Sequence, residues 1–108
     1  MTNYTTPSIT LEIEGADLTS QDTYVTIVQG SIELTKKGSD LTISYDSQKD
    51  ISTIVFSLTQ EESAQFAFSR KAQLQVNFIN ASGVRDATNV AQIDVLKNLL
   101  DEVITYGS

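Results

Sequence analysis

Carboxylates, hydroxyls and a few amines are the only side chains here able to move a proton or attack a carbonyl, because the chain holds no His and no Cys. The usual general base and the thiolate nucleophile are therefore missing. So are a disulfide framework and any thiolate metal site. A hydrolase would have to pair two carboxylates, or Ser with Lys. Paired-acid catalysis needs one carboxyl in an apolar pocket that raises its pKa. Glu12 and Glu14 instead alternate with apolar residues, on the wet face of a strand pattern. Glu61 and Glu62 fit the first turn of a helix, where the dipole favours negative charge. The five glycines, at 15, 30, 38, 83 and 107, are isolated, so no glycine-rich phosphate loop exists. These residues read as a non-enzymatic protein with no catalytic residue.

Metal binding has an equally plain counter-reading. Asp17, Asp22, Asp40, Asp46 and Asp50 fall in expected loops, but no calcium-loop spacing of acids and glycine is present. Asp favours turns because its side chain bonds nearby backbone. The expectation is no metal and no cofactor. The aromatics Tyr24, Tyr45, Phe56, Phe66, Phe68 and Phe78 fall mostly on strand-like positions and read as core. There is no Trp to stack on a sugar; a surface row of Tyr24 with Tyr45 would signal a sugar site. Tyr4 and Tyr106 lie towards the two ends. Each reads either as an anchor for a neighbouring subunit or as a ring packed on its own domain.

Fourteen acidic residues against seven basic ones give a net charge of −7. Nucleic-acid binding requires clustered Lys and Arg to neutralise phosphates. The cations here are scattered, so no nucleic-acid partner is expected. Met1-Thr2-Asn3-Tyr4 lacks the basic start of a secretion signal, and no apolar stretch reaches the ~20 residues of a membrane helix. The expectation is a chain made in the cytoplasm that stays soluble, with no membrane partner.

A chain of 108 residues fits one domain, taken here as 1–108 with an arm, 1–7, and a tail, 96–108. Residues 1–7 are polar and read as a loose, flexible arm. Alternation of apolar and polar residues predicts strands over 9–13, 32–34, 41–45, 54–58 and 72–78. Tyr24-Val25-Thr26-Ile27-Val28 is β-branched and aromatic, and its weak alternation predicts burial on both faces. A return strand is expected over 85–95. Lys36-Lys37-Gly38 reads as a tight hairpin turn with glycine at positive φ. Thr59 followed by Glu62 has the capping-box spacing, so a short helical crossover is expected at 59–66, anchored by Phe66 or Phe68. Leu96, Leu99, Leu100, Val103 and Ile104 recur at mixed spacings. They fit a short C-terminal helix over 96–103 or an irregular segment closing the core. About seven short strands with one small helix predict an all-β, immunoglobulin-like antiparallel β-sandwich, with a small barrel as the alternative.

Several segments together carry a resemblance. They are Ile9 to Thr19, Tyr24 to Gly30, Leu58-Thr59-Gln60-Glu61-Glu62, Gln75-Val76-Asn77-Phe78 with Gly83 to Thr88, and Asn98-Leu99-Leu100. The chain resembles small virion-associated proteins of phages and prophages of Gram-positive bacteria. It is also similar to the immunoglobulin-like N-terminal domain of phage baseplate upper proteins. The resemblance spans most of the chain, and its motifs mark turns and caps, so it transfers no site residues. Baseplate upper proteins continue into a helical and receptor-binding extension, which the resemblance does not include.

The resemblance implies a virion localisation. The expected function is a structural protein of a bacteriophage virion: a head decoration, a connector or collar piece, or a tail or baseplate adaptor. It would act through protein–protein assembly, as a homo- or hetero-oligomer with other virion proteins. Candidate assembly contacts are Tyr4 and Pro7 in the arm and Leu99, Leu100, Val103, Ile104 and Tyr106 in the tail. Lys36-Lys37 and Arg70-Lys71 are candidates to guard open strand edges. The alternative function is a receptor- or carbohydrate-binding β-sandwich module.

Overall fold

The computed structural model describes residues 1–107, and in it the alternating segments form eight strands. They are β1 (Ser8–Glu14), β2 (Asp22–Gln29), β3 (Ile32–Lys37), β4 (Thr42–Asp46), β5 (Ile51–Ser57), β6 (Ala72–Ile79), β7 (Arg85–Ala87) and β8 (Ala91–Ile93). One helix, α1 (Gln60–Ala64), joins β5 to β6. The smaller sheet has the order β1-β5-β4; the larger has β3-β2-β6-β7, with β8 pairing the other end of β6. Every strand pair is antiparallel. The molecule is an all-β sandwich. Its order is that of an immunoglobulin domain, with β1, β5 and β4 standing as B, E and D, and β3, β2, β6 and β7–β8 as C′, C, F and G.

Register explains the core. Ile9, Leu11 and Ile13 stand opposite Phe56, Ile54 and Ser52, so one face of the small sheet is apolar. Val25 and Ile27 stand opposite Val76 and Leu74 across the large sheet. These faces meet around Leu18, Leu58 and Phe66, all almost fully buried. Burying Phe66 contributes about 1.5–3 kcal/mol, which holds a helix too short to be stable alone. Thr59 and Glu62 form the expected capping box: the Thr59 hydroxyl accepts from the Glu62 N–H, and Glu62 accepts from the Thr59 N–H at 2.8 Å. Polar side chains inside the core are matched to backbone. Ser52 accepts from the Leu18 N–H at 2.9 Å and donates to the Ala16 carbonyl at 2.6 Å, fixing the crossing from β1 to β2.

Four expectations are corrected and one open alternative is decided. First, β2 buries one face: Thr23, Val25, Ile27 and Gln29 point inward, while Tyr24 is 36% exposed and Phe68, beyond α1, is 49% exposed. Second, Lys36-Lys37-Gly38 makes no hairpin. Gly38 does take φ +58, but β3 and β4 lie in different sheets, so this turn carries the chain across the sandwich. The hairpin is at Gly30-Ser31, where Gln29 pairs with Ile32 and glycine takes the first central position at φ +59. Third, the return strand is broken in two. The Thr88 hydroxyl accepts from the Val76 N–H at 3.1 Å, taking the place of a ladder carbonyl and displacing the chain between β7 and β8.

Fourth, of the helix and the irregular segment that the sequence leaves open over 96–103, the structure has the irregular segment. The Asn98 side chain accepts from the Leu100 N–H at 3.1 Å, a local turn that competes with helical bonding. Fifth, the arm is not loose. Asn3 is buried, and Thr2 pairs in parallel with Leu96. The Leu96 N–H donates to the Met1 carbonyl at 2.7 Å, and the Asn3 N–H donates to the Leu96 carbonyl at 3.0 Å. Ser63 then clasps Thr5, accepting from its N–H at 3.0 Å and donating to its carbonyl at 2.7 Å.

Candidate assembly surface

The docked arm gives the C-terminal segment its rail. The Asn98 N–H donates to the Asn3 side-chain oxygen at 2.8 Å. Further on, Gln60 at the start of α1 clasps Ile104 at two points. Its amide donates to the Ile104 carbonyl at 2.7 Å, and its oxygen accepts from the Ile104 N–H at 2.8 Å. The segment is thus held by its backbone, through polar side chains of other elements. Its apolar side chains stay largely in solvent. Leu96, Leu100, Val103 and Ile104 are each about half exposed or more, Leu99 is 92% exposed and Tyr106 is fully exposed.

This inverts the usual rule, by which a surface segment turns its apolar side chains to the core. A cluster of such residues on one segment marks an interaction surface. Beside it, Tyr4, Phe68, Lys97, Asn98 and Asp101 line a hollow of about 240 Å³ between the tail and the end of α1. Lys97 lies over the Phe68 ring at 5.4 Å from its centre. Tyr4 is half-buried with φ +58, a left-handed backbone that costs about 1–3 kcal/mol for a bulky residue and is held here by the Ser63 clasp on Thr5.

The structure therefore separates the sequence candidates. Tyr4 lines the hollow with Lys97, Asn98 and Asp101 of the tail, and Ile104 is held to α1 by Gln60, while Leu99, Leu100 and Val103 are exposed on the stretch between. Pro7 is half-buried and has a different role, its carbonyl accepting from the Leu58 N–H at 3.1 Å. Tyr106 is fully exposed. Asn3, Gln60 and Ser63, which place the whole surface, escaped sequence reasoning, since a lone polar residue carries no periodic signal.

The loop acids act within their own turns. Asp17 accepts from the Thr19 N–H at 3.0 Å, and Asp46 from the Gln48 N–H at 3.0 Å. Asp50 accepts from the Tyr45 hydroxyl at 2.6 Å. That bond, followed by desolvation and the charges of Asp50, Asp17 and Asp46, raises the Tyr45 phenol above its ordinary 10.0. Asp22 lies on β2, and Asp46 is the last residue of β4. Among the described residues, no three His, Cys, Asp or Glu side chains gather where they could hold a metal ion. No helix of the described residues is long and apolar enough to cross a membrane. Lys36 is not free at its edge. Its ammonium pairs with Glu62 at 2.8 Å, tying β3 to α1.

Tyr24 and Tyr45 form no row, because they lie in different sheets. Tyr24 instead stands alone on the outer face of the large sheet. It is flanked by Lys37 across β3 and Asn77 across β6, at the bottom of a shallow concavity of about 460 Å³.

No protein-family model matches the chain, and no curated protein matches it in sequence.

Proposed function

We propose that this chain is a non-enzymatic structural component of a bacteriophage virion, which docks to neighbouring virion proteins through its C-terminal segment. The observation that supports it best is the exposed run Leu96, Leu99, Leu100, Val103 and Ile104, held outward by polar clasps on its own backbone. An isolated chain has no reason to order that segment with its apolar side chains in water, whereas a partner surface covering them would gain about 1.5–3 kcal/mol per fully buried Leu, Val or Ile. The virion context comes from the sequence resemblance. The sandwich fits the role mechanically, since a rigid body with arm and tail on one side presents a fixed docking face.

The test is the protein content of phage particles released from cells that carry the coding sequence. Particles are banded on a density gradient and their proteins identified by mass spectrometry. The chain is expected in the particle band, in several copies per particle. Its recovery in the soluble fraction alone contradicts the proposal.

A further inference from the structure

On the face opposite the core, the large sheet carries a constellation that the assembly reading does not use. The register places Lys37, Tyr24 and Asn77 in one row across β3, β2 and β6. Arg85 on β7 stands opposite Ile79 and reaches diagonally back, its Nε and Nη2 donating to the Asn77 side-chain oxygen at 3.3 and 3.0 Å. That pairing holds the guanidinium over β6. Lys37 and the guanidinium therefore stand on either side of the Tyr24 ring, roughly 10 Å apart at two strand spacings. Thr26 and Thr35, mutually bonded at 3.2 Å, border the concavity on one side, and Asp22 borders it on the other.

The charge distribution is what makes this more than an ordinary wet sheet face. Of seven cations on a chain of net charge −7, Lys36 and Lys71 are in salt bridges and Lys97 covers Phe68. Four remain: Lys37, Lys49, Arg70 and Arg85. Two of those four line this one concavity with one carboxylate, Asp22, and Asp40 adjoins it, accepting from the Lys37 N–H at 3.4 Å. The lining itself thus holds two cations to one anion on a negative molecule. An exposed aromatic face, uncommitted donors and an acceptor, and excess positive charge match a particular chemistry. The apolar face of a pyranose ring stacks on Tyr24, its hydroxyls meet Asn77, Thr26 and Asp22, and an anionic substituent is drawn to Arg85 or Lys37. The volume falls within the roughly 300–1,000 Å³ of small-ligand sites.

We infer that the outer face of the large sheet, centred on Tyr24, Lys37, Asn77 and Arg85, binds an acidic saccharide. The inference is independent of the tail and of its partners.

The test is binding of the purified full chain to immobilised oligosaccharides, one set terminated by glucuronate, galacturonate or sialate and one set neutral. The expected result is binding to members of the acidic set at least tenfold above the neutral set, weakened by salt. Y24A should abolish it and R85Q should reduce it at least tenfold; because Tyr24 is only 36% exposed, Y24F, which keeps the ring, should retain binding, and circular dichroism should show each variant folded. A variant with Leu99, Leu100, Val103 and Ile104 changed to Ser should bind as the wild type does, which separates this site from the assembly surface. Binding to neither set overturns the inference. So does equal binding to both sets, or binding that survives Y24A and R85Q.

Discussion

Among the buried polar side chains, one differs from the rest. Ser52, Ser63 and Gln29 each satisfy backbone groups; the Gln29 amide donates to the carbonyls of Ala67 and Arg70 at 2.9 and 3.1 Å and accepts from the Ala67 N–H at 2.6 Å. Thr23 is buried on the inner face opposite Phe78, and its hydroxyl has no hydrogen-bond partner among the described residues. An unsatisfied buried hydroxyl costs about 1–3 kcal/mol, and removing it without changing shape recovers part of that cost. Thr23→Val should therefore stabilise the fold by about 1 kcal/mol, read as a higher urea midpoint at unchanged slope. A lower midpoint would show that the hydroxyl is bonded in solution.

At the scale of the element, α1 is fastened to the sandwich through Glu62. Desolvation pushes its carboxyl up, but the bond from Lys36, the Thr59 backbone and hydroxyl bonds and the Lys36 charge together pull its pKa below 4.5. A lowered folded-state pKa contributes stability that is complete above the unfolded value of 4.5 and is lost as pH falls through the folded value. Glu62→Gln should thus destabilise the chain by about 1–2 kcal/mol at pH 7, from charged hydrogen bonds that the amide replaces poorly. The difference from wild type should shrink as pH drops below the folded pKa. A gap that stays constant with pH would contradict the role given to the charge.

That capping box was legible in the sequence because it is local: Thr59 and Glu62 are three residues apart, and nothing distant is needed to recognise them. The alternating strands were legible for the same reason. Partner choice was not. Lys36-Lys37-Gly38 suits a hairpin chemically, and only the packing of two sheets sends β4 to the other layer. The arm looked loose because its docking uses backbone groups and Asn3, which leave no mark in hydropathy. Tyr24 looked like core because β2 is apolar enough to hide which face is wet, so the constellation around it could not be seen before the register was known.

For the whole molecule, the shape bears on function. A chain of this length packed into a sphere-like domain has a radius of gyration of about 13 Å. Here it is 15.2 Å, with a long axis of 46 Å against a short one of 23 Å. The immunoglobulin-like sandwich supplies rigidity. The tail lies along its side with apolar residues outward, a form suited to being covered by a neighbour. The edges β1, β3, β4 and β7–β8 are unpaired on one side among the described residues, so contacts of strand on strand are also open to a partner. The measurement that tests this account most directly is mass in solution by light scattering, for the chain alone and mixed with the other proteins of the particle. Wild type should exceed its monomer mass of 11.8 kDa in a stable oligomer or co-complex. The variant with Ser at positions 99, 100, 103 and 104 should keep the fold by circular dichroism and remain a monomer. A wild-type chain that stays at 11.8 kDa in every mixture, or a variant that assembles equally well, would contradict the claim that the tail is the docking element.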